Sequence, residues 1–220
     1  MHTNTLRQFG RKRSLFDNRD IIIKNVPDTS ETSRIWPIHG VLDQEDTPHC
    51  GGFAMAHFGN CAPVMDRYNN DVAHAFYYSC KFLEGEDNQE NGVYTRSTAD
   101  VLYKQGIIHK YGWLATIEDA KRWLLKFGPI IFGTVWLSGM VDIFEPDGTL
   151  YVGGREEGGH LVVLNEIDLE TDKVGGINSW GDDWGLNGHF KIRIPDLQRL
   201  MMLDGEMIAA VEKTTPINQW

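Results

Sequence analysis

Cysteine is scarce in this chain, with Cys50, Cys61 and Cys80 the only three in 220 residues. Three is too few, and odd, for a disulfide framework, so a packed core must carry the fold. The count suits a reducing compartment or a free reactive thiol, with one bridge between two of the three left open. Long apolar runs are missing too. No stretch approaches the roughly 18 residues of a membrane-spanning helix, and residues 1–13 lack the apolar middle of a secretory signal. The expectation is a soluble chain with no signal peptide and no membrane partner, at work in the cytoplasm or in a virion or host cell. Internal repeats, low-complexity tracts and Pro/Gly/Ser linkers are absent, which excludes solenoids and separately tethered domains. Positive charge is short: the net charge is −10, yet the first 13 residues carry Arg7, Arg11, Lys12 and Arg13 without an acid, so the remainder holds −14. Such a body repels nucleic acid, which is excluded as a partner. Residues 1–13 read as a basic, flexible, solvated arm with no assigned function.

Hydrophobic residues make up 41%, aromatics 11%, and there are seven tryptophans. That supply fills one sizeable core over residues 14–220 and rules out a disordered chain. Residues 14–47 read as an extended lead-in that wraps the body, with a β-branched run at Ile21, Ile22 and Ile23 and a polar turn cluster from Asp28 to Ser33. From Cys50 the spacing of Phe53, Ala54 and Phe58 is helical, and Pro48 just upstream places Cys50 at a helix N-terminus. Further helices are expected from Asp71 to Leu83, from Ser97 or Thr98 to a stop at Gly106, and from a Thr116 cap to Phe127 before Gly128-Pro129. The pattern then turns β-rich, at Ile130 to Leu137, His160 to Ile167, Val174 to Trp180, His189 to Ile194 and Glu206 to Val211. A helical half followed by a strand half is α+β, with a cleft between two lobes as the natural ligand site.

A helix N-terminus lowers the pKa of a thiol, and a histidine beside it completes a nucleophile. Cys50 meets the first condition. His160, at a strand start after Gly158-Gly159, is the candidate partner, and Asn178 in Ile177-Asn178-Ser179-Trp180-Gly181 can fix its orientation. Gln44, six residues before Cys50, can join the Cys50 backbone N–H in facing one developing oxyanion.

With these residues in place, the sequence resembles the papain-like (C1-type) cysteine peptidases. Gln44 and Cys50 match the family's Gln and Cys with five residues between, and Gly159-His160-Leu161-Val162-Val163 matches its Gly-His followed by apolar residues. Asn178-Ser179-Trp180-Gly181, Trp184-Gly185 and Asn187-Gly188-His189-Phe190-Lys191-Ile192 resemble its Asn-Ser-Trp-Gly, Trp-Gly and Asn-Gly-Tyr-Phe-Arg-Ile run. Lys126-Phe127-Gly128-Pro129-Ile130 is similar to the opening of its second lobe. The resemblance spans about Leu42 to Val211. It implies a two-lobed α+β fold with a helical lobe over about 42–127, an antiparallel sheet or barrel lobe over about 128–212, and the active site in the cleft between them. It further implies a peptidase acting on peptide or protein substrates without cofactor or metal. Cys50 would be nucleophile, His160 base and then acid, Asn178 orienter, Gln44 oxyanion donor, and Trp180 the shield of the Asn178–His160 bond. Asn91-Gly92-Val93-Tyr94 resembles the family's Asn-Gly-Gly-Tyr substrate-pairing loop, which makes Gly92 and Val93 substrate contacts, with Gly159 and His49 lining the cleft beside them.

The chain departs from the family pattern in several places. Thr47 stands where the signature has a structural cysteine, and Gly51 replaces the aromatic residue after the nucleophile. His160 and Asn178 follow Cys50 by 110 and 128 residues, short of the roughly 130 to 150 of papain and cathepsins. The form looks compact and bacterial or phage-like. With 49 residues before Cys50, the expectation is that no inhibitory pro-segment fits and that the regulator lies elsewhere. Two other readings remain at this point: a cysteine amidase or acyl transferase on a non-protein substrate such as a cell-wall peptide, and a silent papain-fold binding or virion-associated protein. Zinc held by His49, Cys50, His57 and Cys61 is disfavoured, since Cys50 and Cys61 on one helix lie roughly 16 Å apart.

Overall fold

The computed structural model describes residues 7–88, 91–142 and 144–212. In chain order it contains β1 (Arg11–Lys12), β2 (Ile22–Ile23), β3 (Ser33–Ile35), α1 (Cys50–Asn60), α2 (Asn70–Glu84), β4 (Val93–Tyr94), α3 (Thr95–Lys104), β5 (Ile108–Leu114), α4 (Ile117–Lys126) and β6 (Ile130–Leu137). There follow α5 (Gly139–Asp142), β7 (Glu156–Asp168), β8 (Lys173–Ile177), β9 (His189–Arg193), α6 (Ile194–Leu203) and β10 (Glu206–Glu212).

Local chemistry explains most element ends. The Asn69 side chain accepts from the Val72 N–H to start α2, and Gly85 closes it in the left-handed conformation at φ 67°. The Thr116 side chain accepts from the Asp119 N–H to start α4. β6 is buried at all eight positions, as a central strand should be.

The α+β fold is built on an eight-stranded mixed sheet in the order β2-β5-β10-β6-β7-β8-β9, with β3 added to β7, beside a two-stranded sheet of β1 and β4. The β6–β7 and β7–β8 pairs are antiparallel, and among the described residues the sheet stays open rather than closing into a barrel. Residues alternate between the faces of a strand, and two cores result. Ile131, Leu161, Val163 and Ile208 point toward α1, α2 and α3, where they meet Cys50, Phe53, Phe58, Tyr77 and Leu102. Phe132, Val162, Leu164 and Ala209 point to the other face, against Trp123 and Leu124 of α4, Leu197 of α6, and Trp136, Trp180 and Trp184.

Three elements depart from the expectations. α3 begins at Thr95, not at a Ser97 or Thr98 cap, because β4 feeds straight into it and the Thr98 hydroxyl donates back to the Thr95 carbonyl instead of capping. β5 lies in the half read as helical but joins the sheet beside β10. α6 was not expected; its signals were Pro195 in the first turn and apolar Ile194, Leu197 and Leu200. Residues 7–13 also depart from the reading of a solvated arm: Arg11 is buried, and β1 pairs with β4 in parallel.

Candidate active site

Cys50 opens α1, as the sequence spacing indicated. Its first-turn N–H groups are unpaired within the helix by construction, and the positive end of the helix lies at the sulfur. Gly51 and Gly52 let α1 sit close to its neighbours: a Cβ on Gly52 would fall on the Ala73 carbonyl and 2.7 Å from the Tyr77 nitrogen. The thiol is fully buried, with the backbone N–H groups of Leu161, Gly10 and Gly51 facing it. Burial outweighs those donors and pushes its pKa up to about 11.

His160 lies on β7 opposite Thr134 of β6. Trp136 meets its ring edge-on at 4.8 Å between centroids, Trp180 lies over it at 4.9 Å, and Phe9 closes a third side at 5.8 Å. The imidazole is wholly buried, and this desolvation lowers its pKa to about 4, against the opposing effect of the Asn178 hydrogen bond.

Asn178 decides which ring nitrogen carries the proton. Its Oδ1 accepts the Ser179 backbone N–H at 2.8 Å, and that donor fixes which end of the amide is oxygen. The same oxygen lies 2.8 Å from His160 Nε2. An oxygen only accepts here, so Nε2 must donate, and the lone pair is left on Nδ1. Nδ1 is buried without a partner among the described residues. That is the arrangement of a general base held ready.

Gln44 is fully buried and braced on both sides. Its Oε1 accepts the Ser179 hydroxyl at 2.6 Å, while its Nε2 donates to the Thr47 carbonyl at 2.6 Å and to the Gln8 carbonyl at 3.1 Å. Thr47, at the position of the missing structural cysteine, returns its hydroxyl to the Gln44 carbonyl at 2.6 Å. Ser179 thus links Asn178 to Gln44, a connection that sequence reasoning missed.

Residues 8–12 run through this cleft as a strap. The Gln8 carbonyl takes the Gln44 amide, Phe9 packs beside His160 and Trp180, and the Gly10 carbonyl accepts the Val93 N–H at 2.8 Å. A Cβ on Gly10 would fall on the Pro48 carbonyl, and one on Gly92 would fall on the Gly10 backbone. Only glycines let the two chains pass there. The Arg7 guanidinium lies over Trp180 at 5.1 Å and further disfavours a charged imidazole.

Comparison with known proteins bears on the fold. No family model matches the chain. An uncharacterized peptidase C1-like protein of Acanthamoeba polyphaga mimivirus is 25% identical over 87% of this chain and 83% of its own length. The structure of xylellain, a cysteine protease from Xylella fastidiosa, superposes with a TM-score of 0.75 at 17% identity, over 93% of this chain and 96% of that one. The fold is papain-like. A procathepsin B from Trypanosoma congolense shares the fold at a TM-score of 0.60 and 15% identity, over 80% of this chain and 73% of that one.

On this papain-like frame the structure brings Cys50, His160, Asn178, Gln44 and Trp180 to one end of the sheet. Trp180 is 1% exposed and lies over the imidazole that Asn178 holds. Val93 and Gly92 flank the cleft and pair with the strap, and a Cβ on Gly159 would meet the Arg11 carbonyl. His49 does not line the cleft as expected. It stacks on Tyr77 at 3.8 Å and its Nδ1 lies 2.7 Å from His74 Nδ1, because its place just ahead of α1 directs it at α2. The zinc alternative also has its side chains engaged elsewhere: His57 Nε2 accepts the Leu42 N–H at 3.1 Å, and the Cys61 thiol lies 3.5 Å from the Trp36 carbonyl.

Proposed function

We propose that this chain is a cysteine peptidase that hydrolyses peptide bonds through an acyl-enzyme on Cys50. His160 Nδ1 takes the thiol proton, and the sulfur attacks the substrate carbonyl carbon. The carbonyl oxygen becomes an oxyanion facing the Gln44 amide and the Cys50 backbone N–H. The imidazolium, kept in register by Asn178, gives its proton to the departing amine. Water then loses a proton to Nδ1, attacks the thioester, and releases the acid as the proton returns to sulfur. Protein side chains and water suffice for each step.

The observation that carries this reading is the pairing of a tethered Nε2–H with a buried, unpartnered Nδ1 on the strand that passes Cys50. It supports catalysis over a silent binding role, because a fold retained only for binding has no need to keep a basic lone pair unpaired. The substrate is a peptide or protein. The mimiviral relative supports a setting in a virion or infected cell, and among the described residues no helix is long and apolar enough to cross a membrane.

The test is turnover of a mixed peptide library by the wild type, Cys50→Ala and His160→Ala, read by mass spectrometry. Each variant is expected to lose about 10⁴-fold or more, as removal of a nucleophile or its base does in catalytic units of this kind. Undiminished cleavage by Cys50→Ala would remove the thiol from the mechanism.

A further inference from the structure

The two donors that would face an oxyanion stand on different elements. The Cys50 N–H belongs to α1, while Gln44 belongs to the extended segment before it, and the turn between them begins at Glu45 with φ at +53°. A tie outside that turn fixes their separation. The segment runs back along α1: the His39 N–H donates to the Asn60 carbonyl at 3.1 Å at the end of the helix, and the chain then passes Leu42, 7% exposed. Carbonyls inside a helix already accept intrahelical N–H groups, so an extended strand pressed on its side must find another acceptor for a buried N–H.

At Leu42 that acceptor is a side chain. His57 Nε2 takes the Leu42 N–H at 3.1 Å. A backbone N–H only donates, so Nε2 carries the lone pair and Nδ1 the proton, the opposite tautomer to that of His160. The ring is 1% exposed, and burial, with His189 nearby, lowers its pKa to about 3, so the acceptor is uncharged at neutral pH. His57 follows Cys50 by seven residues, which is two turns along the same side of α1, about 10 Å from the nucleophile.

Beyond Leu42 the segment pairs with the loop that follows Asn178. The Gly181 N–H donates to the Leu42 carbonyl at 3.2 Å, Asp43 bridges antiparallel to Trp180, and the Gln44 N–H donates to the Ser179 carbonyl at 2.8 Å. Gly181 permits the approach, since a Cβ there would lie 2.9 Å from the Asp43 carboxylate. Leu42 thus gives its N–H to α1 and its carbonyl to the Asn178 loop. Release of that N–H would free one end of a three-residue ladder whose other end is Gln44.

We propose that His57 is a positioning residue for the oxyanion site: by accepting the Leu42 N–H it fixes the segment that carries Gln44 against the helix that carries Cys50. This rests on the peptidase reading above and adds to it a residue that touches neither substrate nor thiol.

The experiment compares wild type, His57→Leu and His57→Gln in the full chain. His57→Leu fills the space but cannot accept; His57→Gln can. On a peptide substrate, kcat should fall about tenfold in His57→Leu with KM within twofold, because an oxyanion donor acts only after attack, and removing such a donor outright costs about 10²–10³. His57→Gln should recover kcat to within threefold of wild type. Cys50 alkylation by iodoacetamide forms no oxyanion and should stay within twofold in both variants. In a Gln44→Ala background, His57→Leu should add no further loss. Amide hydrogen exchange, read by mass spectrometry over residues 41–45 and 178–182, should run at least tenfold faster in His57→Leu and near wild type in His57→Gln. Should His57→Leu fail to fold, His57→Asn, polar but too short to reach Leu42, carries the same expectations. An unchanged kcat, a loss that adds in full to that of Gln44→Ala, or alkylation that falls in step with kcat would overturn the proposal. If the wild type cuts no peptide, the peptidase reading falls and exchange alone decides the tie: rates in His57→Leu equal to wild type overturn it, and faster rates that His57→Gln reverses support it.

Discussion

Acidification from pH 8 to pH 4.5 should cost this fold about 5 kcal/mol through two buried histidines. His57, 1% exposed within α1, has its pKa lowered to about 3, mainly by burial, and His160 is lowered to about 4 by the same cause. An unfolded histidine titrates near 6.5. Between the folded and unfolded values the unfolded chain holds more protons, so stability rises with pH in that window. The contribution is complete above about pH 6.5 and is lost as pH falls toward 4 and then 3. Each histidine gives a slope of up to about 1.4 kcal/mol per pH unit, or about 2.5 kcal/mol by pH 4.5. For a domain of this size that lowers Tm by roughly 10–20 °C. His49 and His189, whose pKa values are also lowered by burial, act in the same direction. Carboxylates held low by their partners, such as Asp20 beside Arg96 and Glu86 beside Lys12, begin to withdraw support as pH falls past about 5 and lose most of it below about pH 4, so they add only a little at the acid end of the window. The assay is urea unfolding followed by tryptophan fluorescence at half-unit pH steps, in the Cys50→Ala background to prevent self-digestion. His57→Gln keeps an acceptor for the Leu42 N–H but cannot take up the proton, so it should remove about half of the slope. Stability that is flat from pH 8 to 4.5, or an undiminished slope in His57→Gln, would refute the reasoning.

Asn178→Ala should lower kcat/KM by about 10²-fold, less than loss of the thiol, because the imidazole loses its tether rather than its base. The same change leaves the Ser179 N–H and His160 Nε2–H unpaired in the core, at about 1–3 kcal/mol each, so thermal unfolding should show a matching drop in Tm. An unchanged rate would remove Asn178 from the site. Gly52→Ala should destabilise by about 1–3 kcal/mol, since its methyl would wedge α1 away from Ala73 and Tyr77 on α2. Unfolding midpoints matching wild type would show that the helices separate without cost.

Much of the scaffold was legible because its causes are local. Thr116 before an amphipathic run starts α4 wherever α4 packs, and the largely apolar, β-branched Ile130–Leu137 reads as a buried strand. β5 was missed because His109, Lys110 and Tyr111 interrupt its apolar pattern, and pairing with β10, about a hundred residues on, makes it a strand. α6 was hidden by an adjoining strand pattern that runs into its first residue. His49 was misplaced because the direction of a side chain at a helix N-cap depends on what packs there, here Tyr77 and His74.

The sequence by itself determined which groups are available and their order along the chain: a cysteine opening a helix, a histidine behind two glycines, an asparagine before a tryptophan, and a glutamine upstream. Those are properties of short stretches, governed by turn chemistry and periodicity. Tertiary structure alone decided the state of those groups. Ser179 sets the Asn178 amide and so the histidine tautomer, and burial among Trp136, Trp180 and Phe9 makes the imidazole neutral. The seating of Arg11 between Asp204 and Glu206 joins residues more than 190 apart. Local patterning does not encode it, because charges find each other through space, and only folding brings the first strand of the chain to the threshold of the last.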